Sequence, residues 1–137
     1  MAQQPILDAL YTKFAADTAA GGVSTLTGAR MYEVEGPDDA ALPLLLWTPV
    51  SDIPVATFGN DGFDAEYQFD VFGDGALGPK PVRTINDAIW TLLNRKTLTV
   101  TGYGSATVAC TERGVETREG RAIRIRSQYR IKAMPQT

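Results

Sequence analysis

The sequence contains no histidine and a single cysteine, Cys110. One thiol cannot form a disulfide framework within the chain. A metal site built from several thiolates or imidazoles is excluded as well, because the chain has one cysteine and no histidine. The absence of histidine also excludes catalysis by histidine-based triads or acid–base pairs. Because carboxylates and lysines remain, the composition argues against most classes of enzyme rather than all of them. We expect Cys110, which lies in a β-like run, to be a small buried apolar residue.

Long apolar runs are also absent. The longest spans residues 40–47 and is interrupted by Pro43, which is far short of the roughly 20 residues that a membrane-spanning helix needs. A secretory signal consists of a basic stretch followed by an apolar one. The N-terminal residues contain no such pattern. We therefore expect a chain that is made and retained in a cytoplasm, with no membrane partner.

The length of 137 residues, with 44% hydrophobic and 21% charged residues, is typical of one globular domain. We expect a single domain over residues 1–137. The net charge of −3 is unevenly spread, because residues 1–80 carry 3 basic and 12 acidic side chains and residues 81–137 carry 10 and 4. This polarity indicates either a nucleic-acid surface in the basic half or, as we favour, pairing of the two halves across a sheet or a subunit interface.

A probable strand, a glycine-rich link and a probable helix follow one another between residues 65 and 95. Apolar and polar residues alternate through residues 65–72, which is the period of a half-buried strand. After Pro79 and Pro81, apolar residues recur at steps of three and four, which predicts an amphipathic helix. The strand face consists of Tyr67, Phe69 and Val71, and the helix stripe of Val82, Ile85, Ile89, Leu92 and Leu93.

The link from Gly73 to Gly78 matches the G-x-G-x-x-G spacing of dinucleotide-binding turns. Two observations argue against that function. No acidic residue lies ~20 positions further on to hold a ribose hydroxyl, and Pro79 and Pro81 remove two backbone donors that a phosphate would need. We favour a flexible strand-to-helix link. The alternative is a nucleotide- or small-ligand-binding enzyme that uses this link.

The remaining segments predict an α+β fold. A helix is expected from Gln4 to about Ala19, ended by the Gly21–Gly22 pair. Strands clustered between helices and joined by hairpins favour a mostly antiparallel sheet, on which the N-terminal helix and a central helix pack. We expect further strands at residues 30–34, 42–50, 97–101, 106–111 and 122–133, a short link at residues 25–29, and a loop at residues 112–120.

The segment from Leu42 to Val50 is apolar on both faces, which suggests helices on one side and a partner subunit on the other. Asn60-Asp61-Gly62 is a turn signal and indicates a long hairpin. The tip of that hairpin is more apolar than solvent exposure requires, so it either folds back on its own sheet or reaches another molecule. The candidates for subunit or tube contacts are Leu45, Trp47, Ile53, Val55, Phe58 and Phe63.

The last predicted strand places basic residues on one side and apolar residues on the other. A basic stripe can contact phosphate, but this one lacks the interleaved aromatics of single-strand binders. Carboxylates between residues 61 and 74 could hold a cation, although their spacing does not match a calcium loop. We therefore favour charged contacts between strands or between subunits, with no metal and no cofactor. They involve Glu66, Asp70, Arg124, Arg126, Arg130 and Lys132.

Taken in order, several stretches resemble the small tail terminator or tail-completion proteins of long-tailed (siphovirus-like) phages. These stretches are the N-terminal helix, GARMYEVEGPDDAALPLLLW, EYQFDVFG, VRTINDAIWTLLN and RSQYRI. The link at residues 73–81 is longer than we expect for that family. The positions that carry the resemblance are Arg30, Tyr32, Pro37, Leu42, Pro43, Gln68, Ala88, Leu92, Leu93 and Arg130.

The resemblance implies a tail-terminator-like domain that assembles as a hexameric ring. Such a ring caps the finished tail tube, stops tube polymerisation and joins the tail to head-completion or portal-associated proteins. DNA passes through it only as cargo, and no catalysis is expected. The protein would reside in the tail or neck of the virion, and in the host cytoplasm during assembly. A head-completion protein of the neck is an alternative within the same structural class.

Overall fold

A six-stranded sheet organises the residues that the computed structural model describes, which are 3–33, 41–57 and 60–133. The strands lie in the order β1-β2-β3-β6-β5-β4. The β1–β2 pair is parallel and the other neighbours are antiparallel. The strand bounds are β1 (Met31–Glu33), β2 (Leu44–Thr57), β3 (Asn60–Asp74), β4 (Thr97–Val100), β5 (Gly104–Glu119) and β6 (Ala122–Ala133).

Three helices in these ranges pack on one face of the sheet, and they are α1 (Gln3–Ala16), α2 (Val23–Thr27) and α3 (Lys80–Leu93). This arrangement confirms the predicted α+β class and the mostly antiparallel sheet. The prediction was wrong about α2, which was expected to be a link. A five-residue helix is too short to show a periodic apolar stripe. The carboxylate of Asp17 accepts a hydrogen bond from the Val23 N–H at 2.8 Å and so satisfies one donor at its start.

The core lies between the helices and one face of the sheet, which we call the helix face. On β3 and β6 every second residue points to it, as the alternating sequence predicts. Phe14 of α1 packs against Trp47 and Phe69, with ring centroids 5.1 and 5.7 Å apart. Phe69 meets Tyr129 edge-on at 5.3 Å. These rings tie α1 to β2, β3 and β6 in the geometry that aromatic pairs prefer.

A bulge in β2 exchanges the two faces of that strand. Pro49 pairs with Tyr67, but Ser51 pairs with Glu66, so the register shifts by one residue at Val50. Beyond it, Ile53 lies opposite Asp64, on the face away from the helices. We call residues 50–57, the part of β2 that runs from the bulge to its end, the arm.

The predicted hairpin between β2 and β3 is present, but its turn is not at Asn60-Asp61-Gly62. Thr57 pairs with Asn60, so Asn60-Asp61-Gly62 belongs to β3, and residues 58 and 59 lie outside the described residues.

The prediction of a loop at residues 112–120 was also wrong. β5 continues to Glu119 and pairs with β6 throughout, with register shifts between Cys110 and Val115. The described side chains from residue 112 onward are exposed, so no apolar alternation marked this half of the strand. None of the helices in the described ranges combines the length and the apolar character needed to cross a membrane.

Candidate assembly surface

Three of the six apolar residues proposed as contacts lie in the core. Leu45 and Trp47 are fully buried on the helix face, and Phe63 is buried with its ring edge-on to Tyr103, at 5.1 Å between centroids. Their side chains have no free surface to offer a neighbour. This corrects the expectation that they make direct contacts, and it has a simple cause. The helices cover the face of β2 that carries Leu45 and Trp47, and β3 places Phe63 on the same face.

The arm supplies exposed apolar surface instead. Ile53 is 59% exposed and Val50, at the bulge, is 51% exposed. Ile53 was among the predicted contacts, whereas Val50 was not. The side chain of Val55 and the whole of Phe58 lie outside the described residues. The arm therefore presents two branched aliphatic side chains three residues apart on one strand.

The opposite face of the sheet, which we call the open face, carries charged side chains in cross-strand pairs. Arg130 of β6 donates to Asp64 of β3, with Nε 2.7 Å from Oδ1. This bond is the main reason why the pKa of Asp64 is lowered and that of Arg130 raised. Glu66 lies opposite Arg130, and Lys132 opposite Asp64, in the strand register. Acidic β3 thus meets basic β6 within one sheet.

Asp70 is the exception on the open face because it is only 3% exposed. Nε of Arg124 donates to its Oδ1 at 2.8 Å, and Nε2 of Gln68 to its Oδ2 at 2.9 Å. The guanidinium of Arg124 also lies 5.7 Å from the ring centroid of Phe72. A carboxylate that is removed from water needs such donors on both oxygens.

Arg126 contacts Glu112, with Nη2 3.2 Å from Oε1. Glu112 was not predicted as a partner, because residues 112–120 were expected to form a loop. Arg124, Arg126 and Arg130 therefore each contact a carboxylate. These three arginines are engaged within the chain, which argues against a free cationic surface of the kind that phosphate backbones attract.

A buried polar cluster, which the sequence analysis did not identify, joins α3 to the sheet. Oγ of Ser127 donates to Oδ1 of Asn86 at 2.8 Å, and the N–H of Gly114 donates to the same Oγ at 3.0 Å. The buried Ser127 hydroxyl therefore has both a donor and an acceptor as partners, as a polar group removed from water requires. A signal was present, since Asn86 and Ser127 occupy positions where the helix stripe and the strand alternation otherwise place apolar residues.

The outer side of α3 is tied to the exposed half of β5. Arg113 contacts Asp87 at 2.8 Å and lies over the ring of Trp90, 4.5 Å from its centroid. Arg83 donates to Glu116, with Nη2 3.0 Å from Oε2, and this bond lowers the pKa of Glu116. These contacts hold the second half of β5 beside the helix.

The glycine link, which the sequence analysis expected to be flexible, is closely packed. Gly73 is buried in β3, and a Cβ there would overlap Cγ1 of Val82, so glycine lets α3 pack closely on the sheet. The N–H of Gly75 donates to the carbonyl of Arg121 at 2.6 Å. A Cβ on Gly75 would lie 2.6 Å from that oxygen. The spacing of these glycines therefore serves helix–sheet packing and does not form a phosphate cradle.

Several depressions mark the surface of the described residues, and two of them are lined partly by apolar side chains. A groove of about 1050 Å³ runs between α1 and β4. A smaller cleft of about 340 Å³, which we call the Leu77 cleft, is lined by Leu26, Pro43, Leu77, Lys80, Pro81, Thr84 and Ile85.

The described residues also offer little that could perform chemistry. Among them, no group of three or more Cys, Asp or Glu side chains is placed to hold a metal ion. Burial raises the pKa of Tyr129 and of the half-buried Cys110, which keeps both groups neutral near pH 7.

Comparison with known proteins gives one family and a fold. The family described as tail completion protein gp17 matches residues 8–133. A chain of the solved virion of a native gene transfer agent (GTA) particle is similar, with a TM-score of 0.74 at 18% identity over 90% of both chains. A second solved structure gives 0.62 at 14% identity over 99% of both. At these identities the likeness shows the fold. No curated protein matches the sequence.

Proposed function

Because this chain belongs to the tail completion protein gp17 family, we propose that it forms a ring that caps the tail tube of a phage or a phage-like particle. It is a structural component of the virion and not an enzyme. We expect residues 1–137 to act as one domain, and six copies to form the ring.

In this proposal the ring has two working surfaces. One surface binds the last layer of tube protein, which stops further tube subunits from adding. The other surface binds the head-completion or portal-associated proteins and so joins the tail to the head. DNA passes through the central opening as cargo. The chain is present in the host cytoplasm during assembly and then resides in the tail or neck of the virion.

The observation that carries the proposal is the family match over residues 8–133. The geometry is compatible with it in two respects. The charges of the open face are largely paired within the chain, so the face does not require a polyanion to neutralise it. Among the described residues, the most exposed aliphatic side chains lie instead at two separate places, Leu77 after β3 and Val50 and Ile53 on β2, which suits an assembly subunit with more than one contact.

Light scattering coupled to gel filtration tests the ring, and polymerisation of purified tube protein tests the cap. We expect the chain to elute as a closed oligomer and to shorten the tubes when it is added during polymerisation. A chain that stays monomeric alone and with tube protein, and that leaves tube length unchanged, contradicts the proposal. Binding to head-completion proteins but not to the tube would instead assign the protein to the head side of the neck.

A further inference from the structure

The strand β4 lies at one end of the sheet, and its outer edge is open. In the part of the chain that the structure describes, β5 lies on one side of β4 and no strand lies on the other. Just before β4 begins, the N–H of Val108 donates to the carbonyl of Lys96 at 3.0 Å. Alternate residues of an antiparallel strand bond to the partner, so Thr97 and Thr99 direct their main-chain groups away from β5. Such groups can pair with another strand.

The sequence at this edge favours strand pairing. Residues 97–111 contain no charged residue and no proline, although 21% of the chain is charged. Threonine and valine, which have high β propensity, occupy every position of β4 except Leu98. Uncharged segments of this composition pair readily with other chains when they lie at an open edge.

The surface beside β4 also leaves room for a further strand. The groove of about 1050 Å³ between α1 and β4 is lined by Thr97, Leu98 and Thr99 on the side of the strand. Its volume is at the upper end of the range for clefts that hold ligands. A short extended segment therefore fits along β4 without displacing α1.

The neighbouring part of the same edge is protected in other ways. Past the residues of β5 that pair with β4, the N–H of Cys110 donates to Oδ1 of Asn94 at 3.0 Å. From residue 112 onward, β5 carries charged side chains, among them Glu112, Arg113 and Glu116. Capped main-chain groups and charged side chains both oppose the addition of a strand. The sequence of β4 itself supplies no such charge.

The charge at the edge of β4 comes from α1. Nζ of Lys13 donates to the carbonyl oxygen of Thr97 at 3.4 Å. Because this oxygen faces away from β5, the ammonium occupies the position that the N–H of an added strand would take. An added strand would have to displace the ammonium and cover it with uncharged groups, and a charge removed from water without a partner is costly.

We propose that Lys13 prevents other chains from adding as a strand to β4. The lysine and the strand that it protects are 84 residues apart in the sequence. The proposal goes beyond the ring, because it concerns a contact that the chain avoids. Without the ammonium, the β4 edges of two copies should pair with each other, since residues 97–111 carry no like charges that would repel.

Removal of the charge tests the proposal. Lys13→Gln keeps a polar side chain with good helix propensity, so the fold should survive. Self-association should become roughly 10- to 100-fold tighter, because pairing no longer breaks a hydrogen bond to a charged group. Lys80→Gln is the matched control, since Lys80 is an exposed lysine at the start of α3, whereas β4 follows the end of that helix. Sedimentation velocity over a concentration series measures association, and thermal unfolding of the far-UV signal confirms folding.

Two further variants separate the edge of β4 from the surface of α1. Lys13→Arg keeps the positive charge and should behave as the wild type does. Thr99→Lys, added to Lys13→Gln, puts a charge back at the same edge from β4 itself, because Thr99 is exposed there. This double variant should return to the wild-type size distribution.

Three outcomes overturn the proposal. If Lys13→Gln keeps the wild-type size distribution at every concentration, the ammonium does not prevent association. If Lys80→Gln associates as strongly as Lys13→Gln, the effect is one of net charge. If Lys13→Gln associates and Thr99→Lys does not reverse it, the new contact is not at the edge of β4. The ring is tested separately, by the size of the wild-type chain and by its effect on tube length.

Discussion

The helix face and the open face of the sheet are built from alternate residues of the same strands, yet they differ in how they are stabilised. On β6, Ile131 is fully buried under the helices, whereas its neighbour Lys132 lies among charged groups on the open face. The helix face gains from the removal of apolar surface from water. The open face gains little from each ion pair, because its partners remain partly hydrated. The stability of the fold should therefore depend mainly on one face, which leaves the other free to change.

Truncation of adjacent residues on β6 gives the largest expected difference between the faces. Ile131→Ala should lower the free energy of unfolding by about 2–5 kcal/mol, because it removes buried methyl groups and leaves a cavity. Lys132→Ala should change it by no more than about 0.5 kcal/mol, as is usual for surface positions. Urea unfolding of both variants measures the difference. Equal losses would show that the open face contributes to stability as much as the core does.

A smaller effect should separate two carboxylates within the open face. Asp70→Asn removes the charge that Arg124 and Gln68 both contact at a buried position, and we expect a loss of about 1–3 kcal/mol. Asp64→Asn should cost less, because the Asp64–Arg130 pair is more exposed to solvent. The same urea titrations compare the two variants. A larger loss for Asp64→Asn would mean that burial does not rank these pairs.

The smallest effect concerns pH. Arg130 lowers the pKa of Asp64 in the folded chain. Asp64 therefore stabilises the fold above its unfolded pKa of about 3.9, and this contribution is lost as the pH falls through the folded value. The difference in unfolding free energy between wild type and Asp64→Asn should be constant from about pH 7 to 5 and should shrink below about pH 4. Unfolding curves at several pH values measure it, and a difference that grows in acid would contradict the sign.

The sequence predicted the elements that have one buried and one exposed face. β3, β6 and α3 carry a clear period because each is covered on one side only. It did not reveal the second half of β5, whose side chains are exposed, or α2, which is shorter than two turns. The turn signal at Asn60-Asp61-Gly62 identified a hairpin but placed its reversal too late in the chain. Pairing with β2 holds these three residues in β3 and outweighs their local turn propensity.

The candidate surface was predicted less completely than the fold. Asp70 and Arg124, both named as inter-strand contacts, do meet, but Asp64 and Glu112 were not identified as the partners of Arg130 and Arg126. The Asp64–Arg130 pair depends on the register between β3 and β6, and the Glu112–Arg126 contact lies beside register shifts in β5, which leave no periodic trace in a sequence. A different reason explains why Leu45 and Trp47 were expected at a contact. Their run is apolar on both faces, so its period could not say which face the helices cover.

The last strand of the chain lies between two earlier ones, and this has a consequence for how the molecule is made. β6 pairs with β3 on one side and with β5 on the other. Until residues 122–133 have left the ribosome, β3 and β5 each keep an edge without its native partner, and such edges invite pairing with other chains. The acidic first half must wait for the basic last strand before the sheet is complete. The sheet can thus be completed only after residues 122–133 are made, and a chain cut short before residue 122 lacks the strand that joins β1–β2–β3 to β4–β5.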